Sequence, residues 1–509
     1  MHRLGQGVSQ DHAEAHRWFV AAAEQGLADA QVSLGDMYKT GTGVCQDESE
    51  ALRLFRAAAE QGHSGGQVAL GDAYAGGTGV AQDEAEALRW YRAAAEQGDP
   101  EGQCKLGDAF CHGHGTWKDV KEAVRWYRAA AEQRYSDGLF NFATMYSNGW
   151  GVKCNTQRAF ELYAAAAELG HAGGHVAMGD MYRAGSCVSQ SDSEAVRCFR
   201  AAALLGNADG QCSLGTMYKH GYGVPQDDAV AVRWFRAAAK QGHVRAKTLL
   251  GCMHTQKDGQ GDTAKEGARY LQEAAGMGDA LAQCHLAKLY LQGQGMAQDE
   301  AEAVRLLKEA AEKGEVEAHC LLGDMHKAGR GVKKDLKRAV HWYRLAAEKG
   351  VAEGHFNLGL MFSKGKGVRR SAARALECFQ AAAEQGHAGG QSSLGDAFRH
   401  GKGTERNDAE AARWYEAAAK QGDAQGQFQL GTLYKFGKGV PRDVRQAARW
   451  LKASAEQGHA GGQFAYGTLL RNGKGTPRHF EEALRWWRAA AEQGHDTAIA
   501  TLTRMKRWP

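Results

Sequence analysis

Apolar positions along residues 63–98 fall into two short helical patterns separated by a polar break. Gly66, Leu70, Ala73 and Tyr74 follow the spacing i, i+4, i+7, i+8 and mark one face of a first helix, helix A. Beyond Gly77 and Gly79, the residues Ala87, Trp90, Tyr91, Ala94 and Ala95 mark a second, helix B. Asp83 stands at the N-cap of helix B and Gly98 just past its end, so the segment predicts an antiparallel helix pair. Gly71 lies in mid-helix A, where it costs about 1 kcal/mol against Ala. Close approach of the two helices accounts for it.

This pattern recurs every 36 residues. Counting from Leu27 there are 13 complete repeats, with a partial repeat over 1–26 before them and a capping fragment over 495–509 after them, and no insertion breaks the frame. Gly holds the first break position in every repeat except at Lys257 and the second in every repeat except at Cys187. The mid-helix A position is Gly in 11 of 13 repeats and Ala143 or Ala287 in the others. A spacing that never slips predicts helix pairs stacked on their neighbours, an all-α solenoid. Composition agrees: Gly is 67 of 509 residues but Pro only 5, which suits periodic turns and not linkers.

The motif A/G-x-x-x-L-G-x-x-Y-x-x-G-x-G-V-x-x-D-x-x-x-A-x-x-W-Y-x-x-A-A-x-x-G, nearly unbroken at Ala30–Gly62 and Gly210–Gly242, resembles the Sel-one-like repeat, a relative of the tetratricopeptide repeat. The resemblance covers essentially the whole chain. It implies a right-handed α-solenoid that serves as a non-enzymatic scaffold or adaptor, and such a stack is expected to present a concave groove and loop edges to protein partners. It leaves two alternatives open, an adaptor subunit of a membrane-associated ubiquitin-ligase quality-control complex and a metal-dependent or hydrolytic enzyme.

Chemical motifs give the enzyme alternative little. Ser363 to Lys366 fits S-x-x-K and Lys39-Thr40-Gly41 fits K-T-G, but in an all-helical array nine repeats separate them. Cys111, His112 and His114 cluster in one turn with Cys104 a short way before, yet no matched second pair completes a zinc site. No catalytic residue, metal or cofactor is expected. Cys104, Cys212, Cys284 and Cys320 share one helix A position otherwise held mostly by Val or Phe and read as buried apolar residues in a reducing compartment. That suggests the cytoplasm, with a secretory lumen as the alternative. Residues 1–20 lack the apolar core of a signal peptide, but Met1 falls eleven positions into a repeat, as expected of a truncated or excised chain. Lys506 and Arg507 read as a polar cap at the other end.

Partner-binding candidates come from residues the repeat does not require. Trp117, Trp150 and Tyr222 stand in glycine turns, as anchors for a partner or as packing on the adjoining turn. Asp36, Asp72 and Asp108, with Asp180, Asp324 and Asp396, form a helix A row that either lines a groove or is solvated. Eight tryptophans, among them Trp18, Trp90, Trp342 and Trp486, share a helix B position and are expected in the core. Arg56/Glu60, Arg92/Glu96 and Arg128/Glu132 read as i,i+4 pairs.

Net charge is only +4, which excludes a general affinity for nucleic acid or membrane, but basic residues crowd the later turns. Lys327, Arg330, Lys333 and Lys334 are followed by Lys364, Lys366, Arg369 and Arg370, then by Arg399, Lys402 and Arg406, by Lys435, Lys438 and Arg442, and by Arg471, Lys474 and Arg478. An acidic protein segment is the expected ligand of this stripe; few aromatics offer base stacking and no apolar face offers membrane insertion. Residues 243–278 lose a turn glycine to Lys257, the N-cap Asp to Thr263 and a buried Ala to Gly267, and are expected to form a hinge between arms 27–242 and 279–494.

Overall fold

In a computed structural model, which describes residues 11–256, 262–505 and 507, every secondary-structure element among the described residues is an α-helix, and consecutive helices pack in pairs. The chain is therefore an α-solenoid of helix pairs. Two compact units divide it, one ending at Lys247 and the other beginning at Thr248. Met1, Lys257 and Lys506 lie outside the described residues.

The repeat over 63–98 shows why the sequence folds this way. Helix A runs Ser64–Gly76 and helix B Glu84–Glu96. The Asp83 carboxylate accepts the Ala85 and Glu86 amides, both at 3.0 Å, and so satisfies two of the donors that a helix start leaves unpaired. Gly71 is needed because a Cβ there would lie 2.6 Å from Cε1 of Tyr91 on helix B. The aromatic ring lies against bare backbone, and Leu70 beside it is wholly buried.

Between repeats the chain is tied by a polar ladder. The buried Gln67 amide donates to the Gln61-side helix at Ala59 O, and its oxygen accepts Gln97 Nε2 at 2.8 Å from the following helix B. Gln103 with Gln133, Gln211 with Gln241 and Gln427 with Gln457 repeat the link. The amides of these four pairs are thereby satisfied, as burial requires, whereas Gln283, whose partner position is Lys313, keeps a buried oxygen without a donor.

Two expectations are corrected here. The tryptophan row flanks the core and does not form its buried seam: Trp90, Trp126, Trp234, Trp414, Trp450 and Trp486 are half-buried and pack against the buried clusters, Trp342 is half-buried and Trp18 is 64% exposed. The buried seam is the next position, with Tyr127, Phe199, Phe235, Tyr343, Tyr415 and Trp487. One residue turns a helix by about 100°, enough to carry a side chain from the seam to its shoulder. The arginine row pairs differently too. Arg53, Arg89 and Arg125 bind Glu50, Glu86 and Glu122 three residues earlier, while Arg56 donates to Tyr74 and Arg128 lies over Phe142. The carboxylate N-terminal to the cation is the better orientation.

In the repeat over 243–278, Thr263 is the second residue of a helix running Asp262–Gly276, and Gly267 is buried where a Cβ would meet His254 and Thr255 at 2.9 Å.

Helix A often starts at a histidine. Nδ1 of His63, His171, His387 and His459 accepts the backbone amide three residues on at 3.0 Å, a role open only to an unprotonated Nδ1. Burial holds His171 and His459 below the ordinary histidine value, against the charge of Asp137 and Asp423 respectively. The folded chain then binds fewer protons than the unfolded one, so this stability is present above about pH 6.5 and is lost as pH falls below it. Thermal melting at pH 5 and 7.5 should show acid destabilisation that a His171→Asn/His459→Asn variant reduces, since Asn207 makes the same cap to Gly210. An unchanged pH profile would contradict this. Cys187 and Arg134 hold φ of 61° and 56° where other repeats have Gly. Cys187→Gly should raise stability by about 1 kcal/mol in denaturant unfolding; a loss of stability would refute the strain.

Candidate functional site

The glycine turn after helix A is built alike in each repeat. In the repeat over 351–386, helix A ends at Lys364 and Gly365 takes the left-handed conformation, φ 64°. The amides of Gly365 and Lys366 both return to Met361 O, which caps the helix. The Ser371 amide then returns to Phe362 O and Ser371 caps helix B, Ala372–Glu384. With both ends of the turn fastened, the residue between the two glycines projects from the edge.

That middle position carries a different chemistry in each unit. In the N-terminal unit it is Thr42, Thr78, His114, Trp150, Ser186 and Tyr222; in the C-terminal unit it is Gln294, Arg330, Lys366, Lys402, Lys438 and Lys474. The residue before the helix B cap is Gln46, Gln82, Lys118, Cys154, Gln190 and Gln226 in the N-terminal unit and Gln298, Lys334, Arg370, Arg406, Arg442 and Arg478 in the C-terminal unit. Trp117 is 91% exposed, Trp150 49% and Tyr222 45%, the last stacked on His220.

Some of the cations are neutralised. Lys327 pairs with Asp324 at 2.8 Å, Arg330 with Glu300 at 2.7 Å and Arg406 with Asp408 at 2.9 Å. Lys364, Lys366, Arg369, Arg370, Lys402, Lys438 and Lys474 are exposed and have no carboxylate at ion-pair distance among the described residues. Burial lowers the Lys435 amine below the usual lysine value, and the charge of Lys474 in the next turn adds to the effect.

Four members of the aspartate row are engaged by helix B tyrosines, while Asp180 is exposed. Tyr91 donates to Asp72 at 2.8 Å, Tyr127 to Asp108 at 2.7 Å and Tyr343 to Asp324 at 2.7 Å, and Tyr415 donates to Asp396. Lys105 also binds Asp72 at 2.8 Å. Burial, then the neighbouring carboxylate, pushes the phenols of Tyr91 and Tyr127 well above the ordinary tyrosine value. Asp36 and Asp180 stand at the same position opposite Phe55 and Phe199, which have no hydroxyl to give. Sequence spacing had no means of revealing this link, since partners 19 residues apart meet only once the helix pair has closed.

Elsewhere the chemistry is sparse. Cys104, Cys212, Cys284 and Cys320 are buried, and burial raises their thiols, that of Cys212 to about 11 and that of Cys320 to about 12. Cys111 is buried, the His112 and His114 rings are 5.7 Å apart, and His114 faces Glu84 at 3.3 Å. Among the described residues no three His, Cys, Asp or Glu side chains gather as a metal site, and no helix is long and apolar enough to cross a membrane.

The Sel1 repeat model matches seven segments between residues 1 and 243 and six between 280 and 495, thirteen in all, and leaves 244–279 unmatched. The thirteen thus include the N-terminal fragment and omit the degenerate repeat. Among solved structures the chain is similar to a protective antigen of uropathogenic Escherichia coli with an SLR fold, at 30% identity over 96% of this chain and 97% of that one, TM-score 0.51. It is also similar to a Sel1 repeat protein from Oxalobacter formigenes, at 28% identity over 61% of this chain and 89% of that one, TM-score 0.45. Comparison with curated proteins gives no match.

Tyr343→Phe should lower stability by about 1–2 kcal/mol in denaturant unfolding, because it deprives the half-buried Asp324 of a donor and leaves only Lys327. No change would show that the row contributes nothing to the fold.

Proposed function

We propose, from the premise that the chain belongs to the family of Sel1 repeat proteins, that it is a non-enzymatic scaffold whose turn edges hold protein partners. Proteins of this family are generally protein-interaction scaffolds. The edge of the C-terminal unit takes an acidic protein segment, and the edge of the N-terminal unit offers Trp117, Trp150 and Tyr222 as apolar anchors. One observation carries this reading: the middle position of a repeated turn is a run of exposed lysines in one unit and includes exposed aromatics in the other, while the backbone holding it is the same. A solvated edge needs charge of either sign, whereas this one is basic in five successive turns.

Binding to such an edge is governed by charge and screened by salt. Fluorescent polyglutamate should bind the full chain at low salt and release as salt rises. A variant with Lys366, Lys402, Lys438 and Lys474 changed to Glu should not bind, although its melting is unaltered. Equal binding by the two proteins would refute the edge as the docking surface.

A further inference from the structure

The same cleft opens in both units, eight repeats apart, with different chemistry. In the N-terminal unit a cleft of about 300 Å³ is lined by Gln82, Glu84, Lys105, Asp108 and His114 over Ala87, Leu88 and Tyr91. Its charges are balanced from within: Lys105 is held by Asp72, and His114 faces Glu84. In the C-terminal unit the corresponding cleft, about 180 Å³, has Arg370 for Gln82, Ala372 for Glu84, Ser393 for Lys105 and Lys402 for His114. The carboxylate at the mouth is gone and two cations stand in its place. The one acid left in the wall, Asp396, accepts the Tyr415 hydroxyl and the Gln429 amide.

We propose that this cleft is the anchor site of the C-terminal edge and takes the side-chain carboxylate of a glutamate in an acidic peptide. Arg370 offers a planar fork that matches a carboxylate, and Lys402 a second charge on the other side. Ser363 and Ser393 supply hydroxyl donors, and Leu376 and Phe379 form an apolar floor for the methylenes of the glutamate. The start of helix B at Ala372 adds its positive end. This inference rests on the acidic-partner reading above and assigns that partner its spacing.

The spacing follows from the repeat. Lys366, Lys402, Lys438 and Lys474 each stand between two left-handed glycines and each return their amide to the same turn of helix A. Consecutive A helices in this unit pack side by side, at a separation of about 8–10 Å for helices in contact. A polyproline II strand has three residues per turn and rises about 3.1 Å per residue, so it returns to one face every ~9 Å. An acidic segment with a glutamate at every third residue would place one carboxylate at each turn, the first seated between Arg370 and Lys402.

A labelled peptide of Glu-Pro-Ala repeats, titrated against the full chain by fluorescence anisotropy at low salt, tests this. It should bind at least about tenfold more tightly than a peptide of the same composition with its glutamates contiguous. Arg370→Gln/Lys402→Gln should weaken it about tenfold, Lys438→Gln/Lys474→Gln distinctly less, and His114→Gln not at all. All these side chains are exposed or line an open cleft, and unaltered circular dichroism melting confirms the fold of each variant. Equal affinity for the two peptides overturns the spacing, and equal losses from the two double variants overturn the anchor cleft. Binding of neither peptide overturns the acidic-partner reading beneath both.

Discussion

Everything in this molecule depends on the approach of a helix B ring to the bare backbone of a helix A glycine. At Gly35, Gly71, Gly107, Gly179, Gly323 and Gly395 an added Cβ would clash with the ring of Phe55, Tyr91, Tyr127, Phe199, Tyr343 or Tyr415, 2.4–2.7 Å from its Cε1. The helix propensity given up, about 1 kcal/mol per glycine, is offset by burial of an aromatic side chain, worth about 1.5–3 kcal/mol. The contact also fixes how the two helices are set against each other. With that settled, the tyrosine hydroxyl reaches Asp72, Asp108, Asp324 or Asp396 on helix A, and the glutamine ladder lines up with the next helix B.

Because the pair is closed from inside, the turn outside it is free to vary. The glycines on either side of the middle residue keep its backbone in one conformation, and that residue makes no contact the core requires. Threonine, tryptophan, tyrosine and lysine all occupy it. Function in this chain therefore lies in side chains grafted onto an unchanging turn. The edge of the C-terminal unit has gained positive charge at two such positions in successive repeats, and lost the balancing Glu84 equivalent at Ala372.

Much of this was legible in the sequence because the repeat samples each position many times. The frame, the Asp83-type cap, the turn glycines and the tight packing at Gly71 all follow from which residues recur. Periodicity was less able to separate Trp90 from Tyr91, since both adjoin the apolar face and only the glycine contact selects the tyrosine. The Tyr–Asp bonds and the cleft around Arg370 and Lys402 were hidden for a different reason. Their residues come from different helices, and nothing in a one-dimensional pattern shows that Ser363, Ser393 and Lys402 surround one space.

Hydrogen exchange on the full chain carrying Gly323→Leu tests the central claim most directly. The new side chain must displace the Tyr343 ring, a clash that costs about 1–3 kcal/mol or more. In an array held by neighbour contacts the damage stays local. The account predicts lost protection over Val316–Ala328 and Leu336–Glu348 and in the helices packed on them, with amides of the N-terminal unit unchanged. Full protection in the Val316–Ala328 and Leu336–Glu348 helices would contradict it.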